Sequence, residues 1–411
     1  MTPLSNFQFS LGSNPGAIIK VIGIGGAGGN AVNHMFQKGI KDVDFLVCNT
    51  DYQALERNLV RNRLQLGPYL TEGRGAGNQP EIGRQAAVET MEEFKELIGN
   101  ETKMVFITAG LGGGTGTGAA PVLAEACRAL DILTVGIVTL PFSFEGKKRL
   151  EQAEHGLKEL RRFCDTTLVI SNDKVRELFG NLVFKDAFAK ADDVLASAAK
   201  GIAEIITVDG YVNVDFADVR TVLQQSGKAV MGSGQASGEN RATAAAEIAI
   251  ASPLLEVDIQ GATGVLINVA ASATVTLHEV NEAINHITAR ADDEANIIFG
   301  TSLDESLGDE IQITVIATGF SADRQGSASS PRAPYRATES GAWSLRDDGV
   351  AVQEAPVSSF NYTPAPAAEP APVVLEDAVD EPAPAGAPQP EEVESGDLDI
   401  PAFLRPRKRI F

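Results

Sequence analysis

The stretch that decides the fold is rich in glycine and reads Gly110-Leu111-Gly112-Gly113-Gly114-Thr115-Gly116-Thr117-Gly118. It follows the apolar run 104–108 and directly precedes the helix-like segment 119–126. Because glycine lacks a Cβ atom, its backbone N–H groups approach an anion closely, and the dipole of the following helix adds partial positive charge. A flexible linker does not usually lie between a buried strand and a helix. The sequence therefore predicts a strand, a phosphate-binding loop and a helix N-terminus.

A second glycine-rich loop follows the first apolar run and reads Gly23-Ile24-Gly25-Gly26-Ala27-Gly28-Gly29-Asn30. The spacing of its glycines also fits the dinucleotide fingerprint, with Asp44 or Asp51 near the distance of a ribose-binding acid. A NAD-dependent oxidoreductase is therefore the alternative hypothesis. The loop 112–118 argues against it, because a dinucleotide needs one pyrophosphate loop, whereas a nucleoside triphosphate wrapped by several loops uses two. The sequence has no GxxxxGK followed by Ser or Thr, which excludes an ordinary P-loop NTPase.

Composition limits the class of protein. The chain has 411 residues, 44% of them hydrophobic, which suffices for a large core and for two or three domains. A net charge of -21 argues against a nucleic-acid-binding surface, because phosphate backbones attract basic patches. Cys48, Cys127 and Cys164 form no CxxC pair, so we expect reduced core residues of a cytoplasmic protein. We expect neither a secretion signal nor a transmembrane span, since no apolar run of about 18 residues occurs.

Short apolar runs alternate with amphipathic helical stretches in the first half of the chain, as is typical of a doubly wound parallel sheet. These runs cover residues 18–24, 43–48, 104–108, 133–140 and 167–171. Residues 186–206 then fit one long helix, because their apolar side chains recur at helical spacing. Beyond it, predicted strands at 263–270, 295–301 and 311–318 surround a helix at 277–290. This second pattern predicts a smaller α+β unit.

The predicted fold is α/β, with a doubly wound Rossmann-like nucleotide-binding domain, a central helix and a smaller α+β domain. A flexible N-terminal segment (1–15) precedes the nucleotide-binding domain (16–185) and the central helix (186–208). The C-terminal domain (209–320) contains the loop 211–220. A disordered acidic and proline-rich linker (321–396) and a terminal peptide with a basic tail (397–411) follow. The linker is predicted because 13 of the 20 prolines follow Phe320. The segment 397–404 restores large apolar residues, which is typical of a peptide that folds on a partner.

Polar residues in three further loops are candidate ligand groups. Residues 49–51 follow the second strand, where Asn, Thr and Asp either line the ligand crevice or cap the next helix. The segment 73–84 is a third glycine-bearing loop that we expect near the phosphates, with Pro80 opening a helix. Glu145 and Arg149 stand one helical turn apart, so they either reach a sugar together or form a surface pair.

Two carboxylates occur together in the segment Asn213-Val214-Asp215-Phe216-Ala217-Asp218. Asp215 and Asp218 are three residues apart at a predicted helix start, so they share a face and can polarise a water or hold a metal. Equally, Asp215 fits an N-cap, and Asp218 fits a first-turn acid that the helix dipole favours. The residues alone leave both interpretations open. The four histidines show no metal-ligand spacing, and we assign none of them a catalytic role.

Taken together, these motifs resemble the tubulin/FtsZ family. The most specific is 112–118, the tubulin-type signature, and the resemblance covers about residues 16–320 and 397–404. It is reinforced by the segments 25–30, 49–51, 141–142, 144–149, 172–174 and 213–218. The resemblance implies a GTP-hydrolysing cytoplasmic protein that polymerises head to tail into protofilaments and forms the division ring at midcell in bacteria.

The resemblance also implies roles for individual residues. The glycine-rich loops would bind GTP or GDP with Mg²⁺ through Gly26, Ala27, Gly28, Gly29, Asn30, Gly112, Gly113, Gly114, Thr115, Gly116, Thr117 and Gly118. Of these, 26–30 and 114–116 would hold the phosphates, and Asn30 would also lie near the base. Glu145 and Arg149 would meet the ribose and a neighbouring phosphate. Phe188 would stack on the guanine, and Asn172 and Asp193 would form hydrogen bonds with the guanine.

In the family, a loop corresponding to Asn213, Asp215 and Asp218 enters the nucleotide site of the next subunit, so the resemblance implies that hydrolysis requires assembly. The implied partners are other copies of the chain and, through 397–404, division proteins such as FtsA or ZipA and regulators; contact with the membrane would be indirect. A filament protein without turnover is a third hypothesis, against which the presence of both acids argues. Ala27, Leu140, Arg74 and the pair Asn78-Gln79 depart from the commonest family pattern.

Overall fold

The computed structural model describes residues 17–180, 184–208, 210–255 and 259–320. Within these ranges the chain forms ten strands: β1 (Ile19–Ile24), β2 (Asp44–Asn49), β3 (Arg63–Gln65), β4 (Met104–Gly110), β5 (Leu133–Leu140), β6 (Thr166–Ser171), β7 (Gly227–Ser237), β8 (Gly264–Ala271), β9 (Asn296–Leu303) and β10 (Glu310–Thr318). The same ranges hold twelve α-helices: α1 (Gly25–Gln37), α2 (Tyr52–Glu56), α3 (Pro68–Thr71), α4 (Pro80–Glu89), α5 (Met91–Ile98), α6 (Thr115–Ala129), α7 (Lys147–Arg161), α8 (Asn172–Phe179), α9 (Phe184–Thr207), α10 (Phe216–Leu223), α11 (Arg241–Ile250) and α12 (Leu277–Thr288). The predicted segments 1–15, 321–396 and 397–411 lie outside the described residues.

The ten strands of the described residues belong to one sheet, in the order β3-β2-β1-β4-β5-β6-β7-β10-β8-β9. β1 to β6 pair only in parallel, and the chain order reverses between β1 and β4. In open sheets of this kind, ligands bind beyond the carboxyl ends of the strands at the point of reversal. The predicted doubly wound α/β fold is confirmed, and the two glycine-rich loops, which follow β1 and β4, lie at this point.

The sequence patterns do not predict β7, which joins the two halves of the sheet. It pairs in parallel with β6 through Thr166 and Gly227, and antiparallel with β10 on its other side. Its glycines explain the weak apolar pattern, because a Cβ atom on Gly232 would lie 2.0 Å from the carbonyl oxygen of Ala249 in α11. A Cβ atom on Gly234 would likewise lie 2.1 Å from the carbonyl oxygen of Ala245. Since the helix packs directly on the strand backbone at these two positions, they have no room for a side chain, and the apolar pattern of the strand is reduced to Val230 and Met231.

The long helix α9 begins at Phe184, two residues before the predicted start, and its 24 residues span about 36 Å. α9 contacts strand β5 in the first half of the sheet, helix α1 beside that half, and strands β8 and β9 in the second half. Its buried face includes Leu195, Ala198 and Ile202. The predicted central helix is therefore present and packs against both halves. Within the described ranges, no helix combines the length and apolarity that are needed to cross a bilayer.

The opposite face of the parallel sheet is covered by α4, α5, α6 and α7, which enclose a second apolar cluster. This cluster contains Cys48, Cys127 and Cys164, all of them free thiols. Burial raises the pKa of each thiol, to about 12 for Cys127. The expectation of reduced core cysteines is confirmed.

Candidate functional site

Two helix N-termini lie side by side at the carboxyl edge of the sheet. α1 begins at Gly25 directly after β1, and α6 begins at Thr115 shortly after β4. A Cβ atom on Gly25 would lie 2.9 Å from the backbone nitrogen of Gly116. Neither helix has a capping side chain at its N-terminus. The uncapped N–H groups of the two first turns, with the positive ends of two helix dipoles, therefore form a place for a polyanion.

Glycine is required where these segments touch, because the contacts join backbone to backbone. A Cβ atom on Gly28 would lie 2.3 Å from the carbonyl oxygen of Thr108, and one on Gly116 would lie 2.5 Å from a carbonyl oxygen of β4. By contrast, Gly26 and Gly113 have no atom within 4 Å of the place where a Cβ would be. Some of the predicted phosphate-binding glycines therefore allow the two loops to pack, while Gly26 and Gly113 leave open space beside them.

The two threonines of the loop 112–118 differ in what they contact. Thr117 is buried, and its hydroxyl accepts a hydrogen bond of 2.8 Å from the backbone N–H of Gly112. The Thr115 hydroxyl lies 2.7 Å from that of Thr50, which follows β2. Thr117 therefore holds the loop closed from inside, whereas Thr115 connects it to the neighbouring loop at 49–51.

Asp51 caps α2 and accepts a hydrogen bond of 3.1 Å from the backbone N–H of Ala54. The capping interpretation of this residue is confirmed. The third glycine-bearing loop pairs with the same region through the backbone. Arg74 and Asp51 form an isolated antiparallel β-bridge, and the N–H of Gly75 donates to the carbonyl of Thr50. As predicted, Pro80 opens a helix, α4, which packs against α6.

Two of the departures from the common family pattern, Ala27 and Arg74, have separate surroundings. The Cβ atom of Ala27 lies over Gly110, and a Cβ atom on Gly110 would approach it to 2.5 Å. The alanine fits because its neighbour is a glycine. The guanidinium of Arg74 pairs with Glu72 at 3.1 Å, and the Arg74 side chain is 83% exposed.

Glu145 and Arg149 form an ion pair beside the loop 112–118. Glu145 also accepts a hydrogen bond of 2.9 Å from the backbone N–H of Phe142, which holds the turn after β5. A Cβ atom on Gly112 would lie 2.8 Å from the carbonyl oxygen of Arg149. The structure therefore places this predicted pair against the loop 112–118, where both side chains remain partly exposed.

An aromatic group lies at the same edge of the sheet. The ring of Phe188, in α9, meets the ring of Phe142 edge to face at 5.2 Å, and Phe144 stacks on Phe142 at 4.8 Å. Phe188 is 39% exposed. Asn172 is buried at the start of α8, and its side-chain oxygen has no hydrogen-bond partner among the described residues. A buried acceptor without a partner is what a missing ligand would leave.

Asp193 lies between α9 and α1 rather than facing open space. Its carboxylate contacts His34 at 2.8 Å, Lys38 at 2.5 Å and Lys190 at 3.1 Å. Burial acts to raise the pKa of this carboxyl, but the hydrogen bonds from Lys38, His34 and Lys190 outweigh burial and lower the pKa to about 2. The role of Asp193 in base binding stays a prediction, while the contacts show that it joins the two helices.

Asp192, which the sequence analysis missed, lies on a different face of α9. Asp192 is four residues after Phe188 and therefore lies on the same helix face as Phe188. Asp193, one residue further along, is rotated about 100° around the helix axis from Asp192. Burial raises the pKa of Asp192 to about 6. We find no hydrogen bond or ion pair to its carboxylate among the described residues. The spacing of four from the predicted stacking residue is the signal that identifies it.

The predicted catalytic acids lie at the opposite, amino edge of the sheet. Asp215 caps α10 and accepts a hydrogen bond of 2.8 Å from the backbone N–H of Asp218, and both residues are exposed. Asn213 accepts a hydrogen bond of 2.8 Å from Gly210. In the same helix, Arg220 reaches Asp131, just before the amino end of β5, at 3.3 Å. The structure therefore does not bring these acids to the glycine-rich loops of the same molecule.

Comparison with known proteins connects these two halves to one family. A model of the tubulin/FtsZ family GTPase domain matches residues 18–180, and a model of the FtsZ family C-terminal domain matches residues 227–321. A structure titled as an empty FtsZ dimer from M. jannaschii is 45% identical, with a TM-score of 0.72, and the match covers 74% of this chain and 88% of that chain. A mutant FtsZ of the same organism is also 45% identical, with a TM-score of 0.71 and coverage of 74% and 91%.

A more distant match is CetZ2 from Haloferax volcanii, described as a protofilament bound to GTPγS. It is 22% identical, with a TM-score of 0.62, and the match covers 73% of this chain and 92% of that chain, which shows a shared fold. Because the matched domain is a GTPase domain and the two M. jannaschii structures are 45% identical to this chain, the hypothesis of a NAD-dependent oxidoreductase is excluded. The chain belongs to the tubulin/FtsZ family of GTPases.

Proposed function

We propose that this GTPase assembles head to tail, and that each active site combines the nucleotide pocket of one molecule with the acids of the next. The observation that carries the proposal is the separation of the two parts. The glycine-rich loops follow the carboxyl ends of β1 and β4, whereas α10 lies near the amino ends of β5 and β6. β6 alone spans about 20 Å between these edges. Acids at this position cannot serve the pocket of their own molecule.

An exposed apolar surface beside the acids supports contact with a second copy. Tyr211 is 65% exposed and Leu277 is 85% exposed, and both line a cavity of about 340 Å³ with Val212, Val280 and Ile284. A second cavity of about 340 Å³ contains Asn213 and Asp218 in its wall. A partner that covers this face would bury the apolar side chains and enclose the acids together. The same contact would then drive assembly and complete the site.

In the proposed reaction, Asp218 accepts a proton from, or orients, the water that attacks the γ-phosphate, and Asp215 holds the first turn of α10 through its cap. The N–H groups of α1 and α6 would stabilise the charge on the phosphates. Among the described residues, no three His, Cys, Asp or Glu side chains form a metal-binding group. The Mg²⁺ that the family resemblance implies would neutralise part of the charge of the phosphates held by the two glycine-rich loops.

We propose that the guanine lies between Phe188 and the first turns of α1, with Asn172 and Asp192 as its partners. A carboxylate accepts hydrogen bonds from the ring N–H and the amino group of guanine, and the carboxylate of Asp192 is available for them. Asn30 is one helical turn before His34, so it lies on the α1 face that meets α9. Asp193 is already engaged by three cationic or donor groups, which favours Asp192 for the contact with the base.

We also propose that the polymer forms the division ring at midcell in bacterial cells. In each copy, residues 16–185 would form the GTP-binding domain, 186–208 the central helix, and 209–320, with the loop 211–220, the domain that presents the neighbouring surface. The support is the family membership and the two matched domains. The segment 397–404 is proposed to bind division proteins such as FtsA or ZipA. Its alternation of acidic and large apolar residues fits a peptide that folds in a partner's groove.

Asp218→Asn should leave GTP binding within about twofold of wild type and lower turnover per subunit about 100-fold, because the side chain no longer accepts a proton. The measurements are GTP affinity by fluorescence titration and steady-state phosphate release at several protein concentrations. Wild-type turnover per subunit should rise from near zero above a threshold concentration. Glu96→Gln, an exposed change on α5, is the matched control and should behave as wild type. A loss of GTP affinity in Asp218→Asn, or equal turnover in dilute and concentrated wild type, would contradict the composite site.

Leu277→Glu should raise the threshold concentration for assembly about 10- to 100-fold, because burying a leucine at a contact is worth about 1.5–3 kcal/mol. GTP affinity should stay unchanged, since the residue is far from the glycine-rich loops. Sedimentation of polymers with GTP measures the threshold. Ile248→Glu, which replaces another exposed apolar residue on α11, is the control. If both variants assemble as wild type, the apolar face is not the contact between copies.

Asp192→Asn should weaken GTP binding at least about 10-fold, because the amide has one acceptor oxygen in place of two and lacks the negative charge, and its NH2 group would face a donor of guanine. Asp193→Asn should retain GTP affinity and lower thermal stability. Because the pKa of Asp192 in the free protein is raised to about 6, wild-type affinity should fall as the pH is lowered from 7 to 5. This decrease should be absent in Asp192→Asn. The reverse order of affinities for the two variants would assign the base contact to Asp193.

Removal of residues 397–411 should leave assembly and GTP turnover unchanged and abolish capture by an immobilised membrane tether of the FtsA or ZipA type. A chain with 397–404 scrambled and the basic residues 405–409 retained separates the peptide from the charge. Pull-down with polymerised protein is the measurement. Undiminished capture by both variants would show that the tether binds elsewhere.

A further inference from the structure

The short helix α10, which carries Asp218, has its last carbonyl groups bound by side chains from elsewhere in the fold. The final four carbonyls of an α-helix have no partner within the helix. In α10 the hydroxyl of Thr318, at the end of β10, lies 3.2 Å from the carbonyl oxygen of Val222 and 3.3 Å from that of Gly264 in β8, so its one proton is shared between the two. The hydroxyl of Thr166, the first residue of β6, donates to the carbonyl of Leu223 at 2.5 Å. Both threonines are 1% exposed.

The chain immediately after α10 is held at the same place. Gln225 adopts a left-handed conformation with φ of 53°, and its backbone N–H donates to the carboxylate of Asp165 at 3.4 Å. The other oxygen of Asp165 accepts from the backbone N–H of Thr134 at 3.0 Å. The hydroxyl of Ser226 lies 2.7 Å from that of Thr166 and 3.2 Å from the carbonyl oxygen of Leu223, so the two hydroxyls meet at the same carbonyl. The C-terminal end of α10 is therefore fixed to the starts of β5 and β6 by directional contacts.

Apolar burial alone does not position this helix as closely. Val219, Val222 and Leu223 are buried, but burial of this kind is non-directional and permits small shifts along or around the helix axis. Hydrogen bonds lose strength steeply when distance and angle change, so those at the carbonyls of Val222 and Leu223 resist such shifts. α10 has eight residues and is about 12 Å long. A displacement at its C-terminal end is therefore carried to Asp218.

We propose that Thr166 and Thr318 are positioning residues for GTP hydrolysis: their buried hydroxyls set the place of α10 and thereby the point at which Asp218 enters the site of the neighbouring copy. The inference rests on the proposed function of Asp218. Two strands from different halves of the sheet contribute one threonine each, so the position of the acid is tied to the alignment of both halves. Neither threonine touches the nucleotide, and both act through the helix.

The test compares Thr166→Val, which removes the hydroxyl at nearly constant volume, with Thr166→Ser, which retains it. Thr102→Val is the matched control, because the buried Thr102 hydroxyl donates to the carbonyl of Ile98, the last residue of α5, at 2.6 Å. Full-length proteins are measured for thermal unfolding, GTP affinity, assembly threshold and turnover per subunit well above that threshold. Asp218→Asn is assayed in parallel.

Thr166→Val is expected to lower turnover per assembled subunit about 10-fold or more, since small misplacements of a catalytic group have effects of this size. GTP affinity should not change, Thr166→Ser should recover most of the turnover, and Thr102→Val should lose stability without losing turnover. If Thr166→Val does not fold, Thr318→Val provides the same comparison at the carbonyl of Val222. The positioning role alone is overturned if Asp218→Asn is inactive but Thr166→Val, or Thr318→Val in its place, turns over GTP within twofold of Thr102→Val. Full activity of Asp218→Asn would instead overturn the proposed function.

Discussion

The close backbone contact between the first turns of α1 and α6 is the constraint on which the rest of the site depends. A Cβ atom on Gly25 would lie 2.9 Å from the backbone nitrogen of Gly116, and the backbones of Gly28 and Gly116 lie against carbonyl groups of β4 at distances that leave no room for a side chain. Two helix N-termini therefore meet without intervening side chains. Their uncapped N–H groups and dipoles accumulate positive potential at one point, which suits a triphosphate in a protein of strongly negative net charge.

The second consequence of the fold is the distance between nucleotide and acids. The middle of α9 meets the C-terminal end of α1, through Asp193, His34 and Lys38. α9 then ends shortly before the segment that carries Asp218. A helix of about 36 Å is a rigid spacer, so the glycine-rich loops and the proposed catalytic acid Asp218 are separated within one molecule. For a GTPase built in this way, association with another copy is part of the proposed catalytic mechanism.

Several features of the site could be predicted from local sequence because they depend on local backbone geometry. Glycine spacing identified both loops, helical periodicity identified α9, and Asp51 and Asp215 were recognised as possible caps. Other features depend on contacts between distant segments. The hydroxyl of Thr117 faces into its own loop, and β7 lacks a strong apolar pattern because α11 packs on its backbone. Neither follows from the residues near them in sequence.

The choice between Asp192 and Asp193 illustrates the division between the two kinds of information. By itself the sequence determined the class of fold, the phosphate-binding loops and the presence of acids at the start of α10, since turn chemistry and periodicity act over a few residues. Only the tertiary structure decided which carboxylate of α9 is engaged with α1, which edge of the sheet carries Asp218, and which threonines hold its helix. These depend on how strands and helices far apart in the chain pack together, and no local pattern encodes that packing.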